Sequence, residues 1–215
     1  MNPLADTQIA FVGAGTMAEA FIRGLLAKDL VPAKALTASD PLETRRDYLT
    51  RELGIATKAS NAEAAAGADI IVFAVKPQVL DKVLDSLKGR VARGTLVLSI
   101  VAGAPIAPIR QALNVASVVR IMPNTPGQIG EGISVWTATP ETAEAQREQA
   151  GAIVGASVIV FLRQITRFIP GDVPFGDQLA YIRLMVVGAV LILVLYYRPE
   201  GLLGDAERLQ AGTSE

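Results

Sequence analysis

The chain has 215 residues, 51% of them hydrophobic and 19% charged, which is ample apolar material for a core and excludes disorder as a whole-chain state. Lys plus Arg is 20 against 21 for Asp plus Glu, a net charge of −1, so no basic excess points to nucleic acid. Cys and His are both absent, which excludes disulfides, thiolate or His-based catalysis and the usual zinc sites; no metal is expected, and redox chemistry would need a borrowed organic cofactor.

Residues 8–12 predict a short buried strand, followed by a turn at 13–15 and a helix over 16–27. A second strand is expected at 35–39 and a polar helix at 41–53. The nearly continuous apolar run 70–75 predicts a parallel strand buried on both faces. Residues 80–87 have helical spacing, 96–101 read as a β-branched strand, Pro105 opens a short helix, and 118–121 form another strand. Strands alternating with helices imply an α/β fold, a Rossmann-type doubly wound, mostly parallel sheet.

The segment Val12-Gly13-Ala14-Gly15-Thr16-Met17-Ala18 follows a strand and opens a helix. That is the setting of a dinucleotide-binding loop, with Gly13 for the tight turn and Gly15 for close approach of a pyrophosphate. Ala18 allows close helix–sheet packing. An ordinary Gly-rich turn is the bland alternative, and the strand–turn–helix context weighs against it. Asp40 ends the second strand, where an acidic residue commonly accepts from the ribose hydroxyls of NAD. Arg45 and Arg46 follow, either to meet a 2′-phosphate or as a solvated helix face. These residues leave NAD against NADP open.

Three further stretches complete the pattern: Ala74-Val75-Lys76-Pro77-Gln78, Ser99-Ile100-Val101-Ala102-Gly103, and Arg120-Ile121-Met122-Pro123-Asn124-Thr125-Pro126 with Gly130-Glu131-Gly132. In this order behind the Gly-rich loop they closely resemble pyrroline-5-carboxylate reductase, over residues 8–149. The resemblance implies reduction of 1-pyrroline-5-carboxylate to proline with NADP, or NAD, in a homodimer. It implies that Val12, Gly13, Ala14, Gly15, Thr16 and Met17 cradle the pyrophosphate. Asp40 and Asn61 would meet the adenosine end, while Ala74, Val75, Lys76 and Pro77 would line the nicotinamide-side ribose. Ile100, Val101 and Ala102 would pass beside the nicotinamide. Met122, Pro123, Asn124 and Thr125 would wall the substrate side. Lys76 is the sole base-like side chain in these motifs, and the plainer reading leaves its ammonium in solvent. Reducing a C=N bond needs alignment more than a strong base, and no catalytic side chain is assigned.

The remainder, 151–215, has a different character. It holds five arginines, no lysine and three of the four tyrosines. Its apolar runs at 152–162 and 184–197 predict a hydrophobic, mainly helical tail. Nothing there matches the family's helical substrate and dimer domain. Residues 151–204, ending Tyr197-Arg198-Pro199-Glu200-Gly201-Leu202-Leu203-Gly204, are instead similar to the C-terminal end of a branched-chain amino-acid ABC transporter permease. The division is therefore drawn as 1–150, an NAD(P)-binding domain, and 151–215, a tail. The stretch 182–197 could associate with an inner membrane or form a buried helix. Met1 to Gln8 carry no basic cluster, so no leader is expected and residues 1–150 are placed in the cytoplasm. The alternative function is a catalytically silent NADP-binding module fused to a permease fragment.

Overall fold

The computed structural model describes residues 2–123 and 134–166. The predicted positions Asn124 and Thr125, the stretch 126–132, the run 184–197 and the permease-like ending lie outside the described residues.

Seven strands form one sheet: β1 (Ile9–Val12), β2 (Leu36–Ser39), β3 (Ala56–Lys58), β4 (Ile70–Phe73), β5 (Leu96–Ser99), β6 (Val118–Pro123) and β7 (Ser134–Ala138). Their order is β3-β2-β1-β4-β5-β6-β7. All neighbours are parallel except β6 and β7, which pair antiparallel. The chain winds outward from β1 to β3, then crosses back to β4 on the other side of β1. The β1–β4 junction is the topological switch point, where open α/β sheets bind ligands.

Every residue of β1, β4 and β5 is buried, as their continuous apolar sequences require. The two-residue period of the strands then divides the core. Ile9, Phe11, Ile70, Val72, Leu96 and Leu98 face one side, and Ala10, Val12, Ile71, Phe73 and Val97 the other. The first side is covered by α1 (Thr16–Ala27), whose buried Ala18, Phe21, Ile22 and Leu25 follow helical spacing. Helix α2 (Glu43–Leu53) buries only Leu49 and stops at Gly54, in the left-handed conformation at φ +66°. The other side is covered by α4 (Leu80–Leu87) and α5 (Ile106–Leu113), with the short α3 (Asn61–Ala65) capped by Ser60, whose hydroxyl accepts from the Glu63 N–H.

Helix α6 (Glu144–Thr166) packs along α1 and buries Ala150, Ile153 and Ala156 in the first core. It carries the apolar run that opens the tail, and it crosses position 150 without a break. Among the described residues no helix is long and apolar enough to cross a membrane.

The strands predicted through Val75 and Val101 stop at Phe73 and Ser99. Their last apolar residues belong to the loops instead, where Val101 folds back into the core at 1% exposure. Apolar continuity marks burial, not extended pairing. The strand β3 was not foreseen because it is an exposed edge with no apolar alternation.

Candidate functional site

The strand ends fall in one row. Val12 pairs with Ser39 on one side and Phe73 on the other, Phe73 with Ser99, and Ser99 with Arg120. The loops that follow therefore leave the same edge of the sheet. They carry Gly13 to Met17, Asp40, Ala74 to Pro77, and Ile100 to Ala102, with Met122 at the end of β6. The register brings together at one edge predicted clusters that are far apart in the chain, from the loop after β1 to Met122 on β6.

Gly13 sits at the switch point with φ +91°. A Cβ there would lie 2.6 Å from Val75 Cγ1 and 2.7 Å from the Ala74 carbonyl oxygen. The loops after β1 and β4 touch at this residue, and the Ala74 N–H donates to the Val12 carbonyl at 2.9 Å. Glycine is thus required by contact as well as by turn geometry. Gly15 differs. Its backbone is extended, φ −67° and ψ −174°, and a Cβ would meet nothing within 4 Å. It starts α1 without a side-chain cap, so the first N–H groups of the helix are left for a ligand or water. Gly15, Thr16 and Met17 are exposed, while Val12 and Ala14 point into the core.

Asp40 is half-buried, and one carboxylate oxygen accepts from the Leu42 N–H at 2.9 Å. Asn61, at the start of α3, is held from both ends. Its carbonyl accepts from the buried Ser39 hydroxyl at 2.8 Å, and its amide donates to Ser86 Oγ at 3.2 Å. Lys76 and Pro77 are exposed at a tight turn after β4. Ile100 is half-buried and Ala102 exposed. The exposed large apolar side chains among the described residues are Met17, Leu42, Val79 and Met122. All four lie at or past this edge, a placement suited to flat apolar rings. A cleft of about 360 Å³ beside Arg93, Arg110 and Asn114 contains none of the motif residues.

The arginines after β2 are engaged rather than solvated. Arg46 donates to the Asp40 and Pro41 carbonyls at 2.8 and 2.9 Å. Arg45 reaches back to the Gly-rich loop, its Nε donating to the Ala14 carbonyl at 2.6 Å and its Nη2 to Glu19 at 2.7 Å. Glu19 also accepts from Arg23 at 2.8 Å and from the Tyr48 hydroxyl at 3.1 Å. Sequence reasoning missed Glu19, Tyr48, Ser39 and Ser86. The Glu19–Arg23 pair has i,i+4 helical spacing and was visible in principle; the others join through the fold.

Burial pushes the Glu19 carboxyl up, and the hydrogen bonds and charges of Arg23 and Arg45 outweigh it, leaving it below its ordinary value of 4.5. Its stabilising contribution is therefore complete above the ordinary value and is lost as pH falls through the depressed one. Glu19→Gln should flatten the acid limb of stability. Urea midpoints measured at falling pH should decline more steeply in the parent chain, and parallel declines would rule the contribution out.

A family model described as NADP oxidoreductase coenzyme F420-dependent matches residues 8–103. A pyrroline-5-carboxylate reductase of Pseudomonas aeruginosa is 41% identical over 154 residues, 71% of this chain and 56% of the relative. One of Synechocystis sp. is 34% identical over 181 residues, 83% of this chain and 67% of the relative. The chain belongs to the pyrroline-5-carboxylate reductase family. It spans 56% and 67% of the lengths of these two relatives. At 83% of the chain, the Synechocystis match carries the likeness past residue 150, beyond the motifs that first suggested it. Among solved structures, Plasmodium falciparum pyrroline carboxylate reductase with NADP bound shares the fold at a TM-score of 0.63 and 18% identity, covering 98% of this chain and 85% of that one.

Proposed function

We propose that this chain binds NADP, with NAD as the second acceptable dinucleotide, and reduces 1-pyrroline-5-carboxylate to L-proline. The observation that carries the reading is the strand-end row at the switch point, with Gly15 open beside an uncapped helix N-terminus. Those features fit a pyrophosphate: free N–H groups, a helix dipole of the right sign, and no side chain in the way. Family membership and the NADP named for the Plasmodium structure support the cofactor.

In this reading Val12 to Met17 hold the pyrophosphate by backbone, with Asp40 and the pre-oriented Asn61 at the adenosine end. Ala74, Val75, Lys76 and Pro77 line the nicotinamide-side ribose. Val101 contributes its backbone only, since its side chain is in the core; Ile100 and Ala102 present side chains beside it. Met122 and Pro123 with Asn124 and Thr125 wall the substrate side. The dinucleotide, when bound, supplies the hydride. The protein's contribution is alignment on a rigid sheet edge, which can account for a large share of a rate enhancement without a strong base. Lys76 serves by backbone position.

The test is NADPH oxidation followed by absorbance and started with 1-pyrroline-5-carboxylate, beside a titration of NADPH binding. Oxidation that depends on the pyrroline is expected. Binding without turnover would reduce the chain to a nucleotide-binding module, and absence of binding by the folded protein would overturn the reading altogether.

A further inference from the structure

Arg45 is the residue that the geometry least resembles a surface charge. It sits on α2, yet its Nε lies 2.6 Å from the Ala14 carbonyl oxygen, inside the Gly-rich loop. Its second contact, from Nη2 on the same edge of the guanidinium to Glu19 at 2.7 Å, fixes the plane of the group. Glu19 is itself anchored by Arg23 and Tyr48, and the Arg45 guanidinium lies 5.1 Å from the centre of the Tyr48 ring. The side chains of Arg45 and Glu19 are 23% and 14% exposed, so this is a built cluster rather than a solvated pair.

The Ala14 carbonyl belongs to the peptide that carries the Gly15 N–H. That peptide is trans, so its C=O and N–H point in opposite directions. Holding the oxygen toward α2 turns the Gly15 N–H away from α2. A cation bonded to the oxygen also polarises the peptide and strengthens its N–H as a donor.

We propose that Arg45 is a positioning residue for the dinucleotide pyrophosphate, acting through the Ala14–Gly15 peptide, and is not a ligand of a 2′-phosphate. The inference rests on the reading that this loop binds a dinucleotide. It makes a distinct demand on affinity: the pyrophosphate is common to NADPH and NADH, whereas the 2′-phosphate belongs to one of them. Loss of Arg45 therefore weakens both cofactors by the same factor.

The experiment titrates NADPH and NADH against the parent chain, Arg45→Met and Arg45→Lys, with unfolding midpoints measured in parallel. Arg45→Met should weaken both roughly tenfold, the scale of one charged hydrogen bond, and leave their ratio unchanged. Arg45→Lys keeps the charge but loses the planar fork that holds the carbonyl and Glu19 in fixed directions, so it should restore part of the affinity for both cofactors. The Gly15 amide ¹⁵N resonance should move in Arg45→Met, a shift that a stability loss elsewhere would not produce. If Arg45→Met does not fold, Arg45→Lys is read in its place, with a smaller equal loss expected. Weakening of NADPH alone would overturn the proposal and make Arg45 a 2′-phosphate ligand. Unchanged affinity for both would overturn it while leaving the dinucleotide site standing. Failure of the folded parent chain to bind either cofactor would overturn the site and this inference together.

Discussion

Gly13→Ala is expected to destabilise the fold by on the order of 3 kcal/mol or more, from backbone strain and overpacking together. The backbone at φ +91° is one that an L side chain rarely adopts. The added methyl would lie 2.7 Å from the Ala74 carbonyl oxygen and 2.9 Å from its carbon. Val75 Cγ1, at 2.6 Å, could swing aside. The Ala74 backbone cannot, because its N–H is bonded to the Val12 carbonyl and it directly follows β4. The two loops at the switch point would have to part, pulling on the ends of β1 and β4. Small domains hold only about 5–15 kcal/mol in total, so the loss should show as a large fall in urea midpoint. A midpoint equal to the parent's would mean that the loops do not touch as described.

The same residue shows what a sequence can disclose. The Gly-rich loop was legible as a turn between strand and helix, because glycine spacing and the apolar run before it are local signals. Its need for glycine by contact with Ala74 was not, since the two lie some sixty residues apart. The chain order of β1, β2, β4 and β5, and the α1 and α4 helices, followed from apolar patterning and periodicity. The edge strand β3 did not, because it has no apolar pattern of its own; β7 was not foreseen either, although Val135, Trp136 and Thr137 favour a strand. Arg45 and Arg46 illustrate a further limit. Helical spacing placed them on α2, but Arg45 reaches the Ala14 carbonyl of the Gly-rich loop and Arg46 the Asp40 and Pro41 carbonyls ahead of its own helix; the first of these is a tertiary contact that spacing alone does not disclose. Likewise Val101 was expected within the fifth strand but lies in the loop after β5, and its burial at 1% exposure puts its side chain in the core.

Gly15→Asp is expected to separate folding from binding, in opposite directions. Position 15 has ordinary extended backbone angles, and a Cβ there meets nothing within 4 Å. It is also the uncapped start of α1, where Asp is among the preferred residues, worth about 0.5–1 kcal/mol over poorer caps and only a few tenths over Gly. The fold should therefore be unharmed or slightly strengthened. Binding should not survive. The new carboxylate would occupy the approach of a doubly charged pyrophosphate and take up the free N–H groups intended for it. Two like charges about 4 Å apart near a protein surface repel by about 4 kcal/mol at an effective dielectric of 20, which corresponds to a loss on the order of 100- to 1,000-fold. Gly15→Asn keeps the shape and the capping ability while removing the charge, so it should lose less affinity than Gly15→Asp. Titration of NADPH beside thermal unfolding checks all three proteins. A Gly15→Asp chain that unfolds with the parent and still binds NADPH as tightly would place the dinucleotide somewhere other than this loop.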